Sequence, residues 1–193
     1  MSVLTPAWRR MIRAGFIFFI LLWAGSSPLR AQAQTSISKE YQIKAVFLFN
    51  FAQFVSWPEK VFASPNEPFC IGILGDDPFG SFLDETVKGE KVESHPLIIQ
   101  RYRRVEDIEN CQILFISRSE MNQIEHIFAQ LKDKSILTVG DAEGFIQKGG
   151  ILRFASKENK IHLRINPKAA KRVNLSISSK VLRLAEIVEP GKE

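Results

Sequence analysis

Two apolar runs along the chain share one plan. Phe69-Cys70-Ile71-Gly72-Ile73-Leu74 is broken only by Gly72 and gives way to Gly75-Asp76-Asp77-Pro78. A short continuous apolar run between turn signals predicts a strand covered on both faces. Gly75 supplies the bend, Asp76 or Asp77 a helix cap, and Pro78 a permitted early helical position. Cys111-Gln112-Ile113-Leu114-Phe115-Ile116-Ser117 has the same layout, from a cysteine to a small polar residue before a helix. Upstream, Ile43, Val46, Phe47, Phe51, Phe54 and Val55 recur at spacings of three and four, with Asn50 the polar exception and Phe49 and Trp57 widening the stripe. This predicts a helix from about Ser38 that Pro58 stops near Trp57.

The remaining pattern alternates. Helices are expected over 78–87, from Ser119-Glu120 through the stripe Ile124, Ile127, Phe128 and Leu131, over 166–172, and over 177–188. Strands are expected over 96–102, 135–139, 151–155 and 160–165, the last two joined as a hairpin. Alternation of this kind predicts an α/β fold in three layers. Its mostly parallel sheet would be flanked by helices in a flavodoxin/Rossmann-like arrangement, with a C-terminal β-hairpin at the edge. In a 2-1-3-4-5 strand order, the Cys70 and Cys111 strands are neighbours.

The first 33 residues change the charge picture. Arg9, Arg10 and Arg13 precede an apolar run over 16–25, and Ala31-Gln32-Ala33 forms a small-x-small cleavage site. This reads as a secretory signal peptide; an uncleaved membrane anchor is the alternative. The whole chain has 26 Lys+Arg against 21 Asp+Glu, but residues 1–33 hold four arginines and no acid, which leaves 22 against 21 over 34–193. The basic balance therefore belongs largely to the leader, and the remaining net charge of +1 gives no support for nucleic-acid binding. Residues 34–193 suit one domain, with a core over about 40–188.

Cys70 and Cys111 are the only cysteines. In an exported chain this predicts a Cys70–Cys111 disulfide, closing a loop of about 40 residues and contributing roughly 4 kcal/mol. Two buried free thiols are the alternative.

A doubly wound sheet offers a site beyond the carboxyl ends of its strands. Those ends carry Asp76, Asp77, Ser117, Arg118 and Asp141, a set suited to a small polar ligand or a cation. It resembles the acidic pocket of a phosphorylation receiver, except that Ser117 stands where the acceptor carboxylate belongs. The competing reading makes these residues helix caps and turn formers. Arg101, Arg103 and Arg104 read as a solvated strand end. The three histidines lie on separate elements without metal-ligand spacing, and no nucleophile elbow or phosphate-binding loop is present. The residues favour a binding or regulatory module over an enzyme, with no cofactor and no metal. The aromatic first helix is mainly core, with Phe51 and Trp57 the candidates for a partner or dimer surface.

The stretch from Lys44 through Pro58 resembles the opening signature of the YfiR-like family of exported proteins. Gly75-Asp76-Asp77-Pro78-Phe79-Gly80, Cys111 with 113–117, Leu137-Thr138-Val139-Gly140-Asp141 with Gly144-Phe145, Gly149-Gly150-Ile151, Ile165-Asn166 and Ile177-Ser178-Ser179 match its later blocks in order. The resemblance covers about residues 40–188. It implies a periplasmic α/β domain, a homodimer, and a Cys70–Cys111 disulfide. It also implies a regulator that binds the periplasmic domain of an inner-membrane signalling protein, a diguanylate cyclase controlling cyclic di-GMP and biofilm formation. Release would sometimes run through an outer-membrane lipoprotein. Some members carry a second cysteine pair, which this chain lacks. The alternative function is a periplasmic small-ligand binder serving a sensor kinase or uptake receptor, with its ligand near Asp76, Ser117 and Asp141.

Overall fold

Ser38 starts the first helix, its hydroxyl accepting a hydrogen bond from the Tyr41 backbone N–H at 3.4 Å. The computed structural model describes residues 38–64, 66–158 and 160–189. The expected signal peptide, residues 1–33, lies outside them. Helix α1 (Lys39–Phe54) runs into the short strand β1 (Val55–Ser56). It stops three residues before Trp57 because β-branched Val55, three residues ahead of Pro58, is already extended. Its buried face is Lys44, Ala45, Leu48, Phe51 and Ala52. The expected stripe was rotated from this: Ile43 and Val46 are exposed. A helix with apolar residues on most sides carries little phase information, and the deciding residue is a lysine.

The rest follows as β2 (Phe69–Leu74), α2 (Ser81–Val87), β3 (Lys91–Val92), β4 (His95–Tyr102), β5 (Ile113–Ile116), α3 (Ile124–Leu131) and β6 (Leu137–Gly140). Then come β7 (Leu152–Lys157), β8 (Lys160–Ile165), α4 (Pro167–Arg172), β9 (Ser176–Ile177), α5 (Ser179–Leu182) and β10 (Ala185–Ile187). Eight strands form one mixed sheet in the order β10-β8-β7-β6-β5-β2-β4-β3. From β4 to β7 all neighbours are parallel, with β2 between β4 and β5 as expected for the two cysteine-led strands. β7 and β8 are antiparallel, and β10 joins β8 in parallel. The outermost strand on that side is therefore β10, not the expected hairpin.

Side-chain alternation divides the core between the two faces. On one, Phe69, Ile71, Ile73, Ile113, Phe115, Leu137 and Val139 pack with α1, α2, Leu152, Phe154, Leu163 and Ile165. On the other, Cys70, Leu74, Leu114 and Ile116 pack under Ile124, Ile127 and Leu131 of α3. The second layer is incomplete. Only a 3-10 turn, Val105–Asp107, joins β4 to β5, and no helix joins β6 to β7. Buried Phe145 fills that last connection instead; a Cβ on Gly150 would fall 2.2 Å from its ring.

The expected helix over 177–188 does not form. Ile177 pairs with Val55 in a two-stranded ribbon, a single turn covers 179–182, and residues 185–187 are strand. Leu184 and Ile187 stand exposed, so the apolar residues there never formed one buried helical face. Extended backbone completes hydrogen bonds that a helix would leave open: Ser178 N–H donates to Phe54 O, and Val188 N–H to Ile165 O.

Candidate functional site

The carboxyl ends of β2, β5 and β6 lie side by side and carry the residues singled out from the sequence. After β2, Gly75 turns with φ +85°. Asp77 then caps the next turn, its Oδ1 accepting from Phe79 N–H at 2.7 Å and Gly80 N–H at 3.3 Å. Its Oδ2 accepts from Arg101 Nε at 2.7 Å, and the same guanidinium reaches Asp84 Oδ2 at 2.5 Å. Arg101 is exposed, as a solvated strand end should be, and in addition bridges β4 and α2 through these ion pairs. Its hydrogen bonds, aided by its charge, outweigh burial and hold the Asp84 carboxyl below its ordinary value. Asp76 is exposed, and its N–H donates to Ser119 Oγ at 3.1 Å. Ser117 is buried where β5 ends, its N–H donating to Leu74 O.

Asp141 sits elsewhere in charge terms. Its side chain is 1% exposed and receives three donors. Lys44 Nζ lies at 2.6 Å and Tyr41 Oη at 2.9 Å from Oδ2, and Arg118 Nε lies at 3.0 Å from Oδ1. Arg118 also donates to the Asp141 carbonyl at 3.1 Å. Lys44 is fully buried and takes a second carboxylate, Glu40, at 2.6 Å. Burial pushes the Asp141 carboxyl up, but the hydrogen bond and charge of Lys44, followed by Arg118 and Tyr41, outweigh it and hold the group below its ordinary value. Burial, then the charge of Asp141, pushes the Tyr41 phenol up to about 12. The structure therefore brings Arg118 and Asp141 together and places Asp77 in a different ion-paired group. Tyr41, Lys44 and Glu40 were missed from the sequence. The signal was there: Lys44 interrupts an otherwise apolar helical face, and a buried lysine requires an anion.

Cys70 and Cys111 lie on the α3 side of the sheet, and both are buried. The expected bond between them is not made here; both are free thiols. Cys111 Sγ is turned toward Ile113 O at 2.9 Å and lies 3.9 Å from Cys70 O. Cys70 Sγ neighbours Gln100 Oε1 at 3.4 Å and Tyr102 Oη at 3.7 Å. Burial pushes the Cys111 thiol well up, while a hydrogen bond from Cys111 brings Cys70 down. A cavity of about 450 Å³ opens beside Cys70, lined in part by Ile98, Gln100, Tyr102 and Asn110. Gly72 leaves the space for this group: a Cβ there would come within 2.8 Å of Cys111 Sγ.

The first helix corrects a further expectation. Phe51 is 1% exposed and stacks on Phe154, so it belongs to the core and presents nothing to a partner. Trp57 is half-buried, with its ring edge-on to Phe69 at 4.9 Å and its indole N–H donating to Gln112 O at 3.2 Å. Among the described residues, no three His, Cys, Asp or Glu side chains gather as metal ligands.

A mixed α/β sheet whose strand-end charges are matched by the chain's own opposite charges has the character of a regulatory or binding domain more than of a catalytic one. The chain belongs to the YfiR/HmsC-like family, whose pattern matches residues 41–186. That family is regulatory. No curated protein matches the chain significantly. Among solved structures, the chain is similar to a conserved domain protein from Vibrio cholerae O1 biovar El Tor str. N16961, at 17% identity and a TM-score of 0.44. The match covers 62% of this chain and 54% of that one, so it spans about half of that protein's length.

Proposed function

We propose that this protein is a periplasmic regulator that acts by binding the periplasmic domain of an inner-membrane signalling protein, most specifically a diguanylate cyclase whose product, cyclic di-GMP, promotes biofilm formation. The observation that carries this reading is the state of the strand ends. Asp141 is saturated by Lys44, Tyr41 and Arg118, and Asp77 by Arg101 and two backbone donors. Two of the strand-end carboxylates that could bind a ligand are thus committed to holding the fold, which supports a working surface elsewhere on the molecule. Family membership supports the same reading.

Such a regulator works by differential affinity for two states of its target. Shifting a two-state partner from 1:99 to 99:1 requires a preference of about 5.5 kcal/mol. In an oxidising compartment, Cys70 and Cys111 would join as a disulfide between neighbouring strands. A homodimer, and release through an outer-membrane lipoprotein, belong to the same proposal.

The test is a pull-down with residues 34–193 from solubilised membranes of the native bacterium, read by mass spectrometry. Specific recovery of a membrane cyclase with a periplasmic domain is the expected result. Repeated recovery of nothing specific would overturn the proposal.

A further inference from the structure

The β7–β8 hairpin has two different faces. Leu152, Phe154, Leu163 and Ile165 point into the core. On the opposite face the cross-strand partners are Arg153 with Arg164, Ala155 with His162, and Lys157 with Lys160. Five of these six positions are basic, and two rungs set like charges directly opposite each other. Such pairs are destabilising in an antiparallel ladder. This face is also where the second layer of helices is missing, because the β6–β7 connection carries no helix. A cavity of about 450 Å³ lies over it, bounded by Glu143 on one side and by Leu184 and Glu186 on the other.

Part of the charge is balanced. Arg164 makes two hydrogen bonds to Glu186, at 3.0 and 3.1 Å. Arg153 is also partnered within the fold, and the charge of His162 acts on Glu186, which leaves exposed Lys157 and Lys160 as the rung whose like charges face each other. A sequence that keeps a locally unfavourable pattern on an uncovered face points to a use outside the fold.

We propose that this face docks an extended acidic segment of a partner protein. The inference rests on the reading of the protein as a partner-binding regulator and names the surface. Successive rungs are about 7 Å apart, the spacing of alternate side chains in an extended chain. Carboxylates at every second position of such a segment would meet the rungs in turn over about 13 Å. One phosphate or small carboxylate would reach only one rung. A flat anionic bilayer fits poorly, because Glu143 and Glu186 flank the basic groups, whereas a single strand of chain fits between them. Exposed Leu184 offers an apolar contact beside the charges.

The test uses the purified protein, isotope-labelled for NMR, and an acetylated peptide of alternating glutamate and serine as probe. Expected are saturable shifts confined to Arg153, Lys157, Lys160, His162 and Arg164 and their neighbours, weakening as salt is raised. Lys157→Glu should reduce peptide affinity at least tenfold while raising the melting temperature, because it turns a repulsive rung into an attractive one. Shifts spread over the whole surface, or affinity unchanged in Lys157→Glu, would overturn the proposal. So would binding to phosphatidylglycerol vesicles without binding to the peptide. If a membrane signalling protein is captured equally by wild-type and Lys157→Glu/Lys160→Glu protein, the docking face is wrong and the regulator reading stands. Hairpin-confined peptide binding with no membrane target captured would leave the face and remove the regulator.

Discussion

Lys44 Nζ lies 2.6 Å from Asp141 Oδ2, joining residues 97 apart in sequence, and both side chains are sealed from solvent. The contact fastens the outer helix to the end of a central strand. Removing one member of a buried pair leaves an uncompensated charge, which costs about 3–5 kcal/mol. Glu40 remains beside Lys44, so Asp141→Asn should lose about 3 kcal/mol, at the low end of that range. Urea unfolding of the variant checks this. Asp141→Asn should also flatten the acid limb of the stability curve. The Asp141 carboxyl is held below its ordinary value, so its contribution is complete above the unfolded value of about 3.9 and disappears as pH falls through the folded one.

Phe51 is core. Phe51→Ala should cost about 3–5 kcal/mol, through lost contact with Phe154 and the cavity left behind. Phe51→Asp should fail to fold. A folded Phe51→Asp protein deficient only in association would place the residue on a surface after all. Circular dichroism with size-exclusion chromatography separates the two results.

The two cysteines make a redox prediction. Protein prepared under oxidising conditions should melt higher than the same protein after reduction. Joining the thiols should add up to roughly 4 kcal/mol, less whatever strain the turn of Cys111 toward Ile113 introduces. A Cys70→Ala/Cys111→Ala protein should show no such difference. Thiol titration before and after denaturation is the accompanying measurement, and two titratable thiols in the untreated denatured protein would show that the bond does not form.

Gly72 is a packing requirement. A methyl group there would lie 2.7 Å from the Tyr102 ring, 2.8 Å from Cys111 Sγ and 3.0 Å from Leu114 Cδ1. Gly72→Ala should therefore destabilise the protein by about 1–3 kcal/mol, as overpacking does. Thermal melting of Gly72→Ala against wild type reads it directly. Gly89→Ala makes a useful comparison, since a Cβ there meets nothing but pays for a φ of +77°.

Much of the central sheet was legible, because apolar runs such as 69–74, interrupted only by Gly72, and 113–116 suit strands covered on both faces. The Asn166-Pro167 start was legible for a local reason: Asn166 Oδ1 accepts from Ala169 N–H at 3.0 Å. The C-terminal strands were not. Whether 185–187 is helix or strand depends on an open edge at β8, which no local pattern records. The charge cluster was half legible. Arg118 and Asp141 follow from their strand ends, whereas Tyr41 and Lys44 come from a helix whose rotation its apolar residues did not fix. The ion pairs of Arg101 were not legible for the same kind of reason, since its partners Asp77 and Asp84 come from other elements.

The ribbon between Val55 and Ile177 ties the first helix to a segment more than 120 residues later. A chain delivered N-terminus first therefore presents the face formed by Ala45, Leu48 and Phe51 long before its fastening arrives. Its sheet partners come between, and its latch comes nearly last. Assembly should thus be late and all at once rather than progressive. Until then, a strip of uncovered apolar surface is on display, and whatever escorts the nascent molecule has that strip to hold.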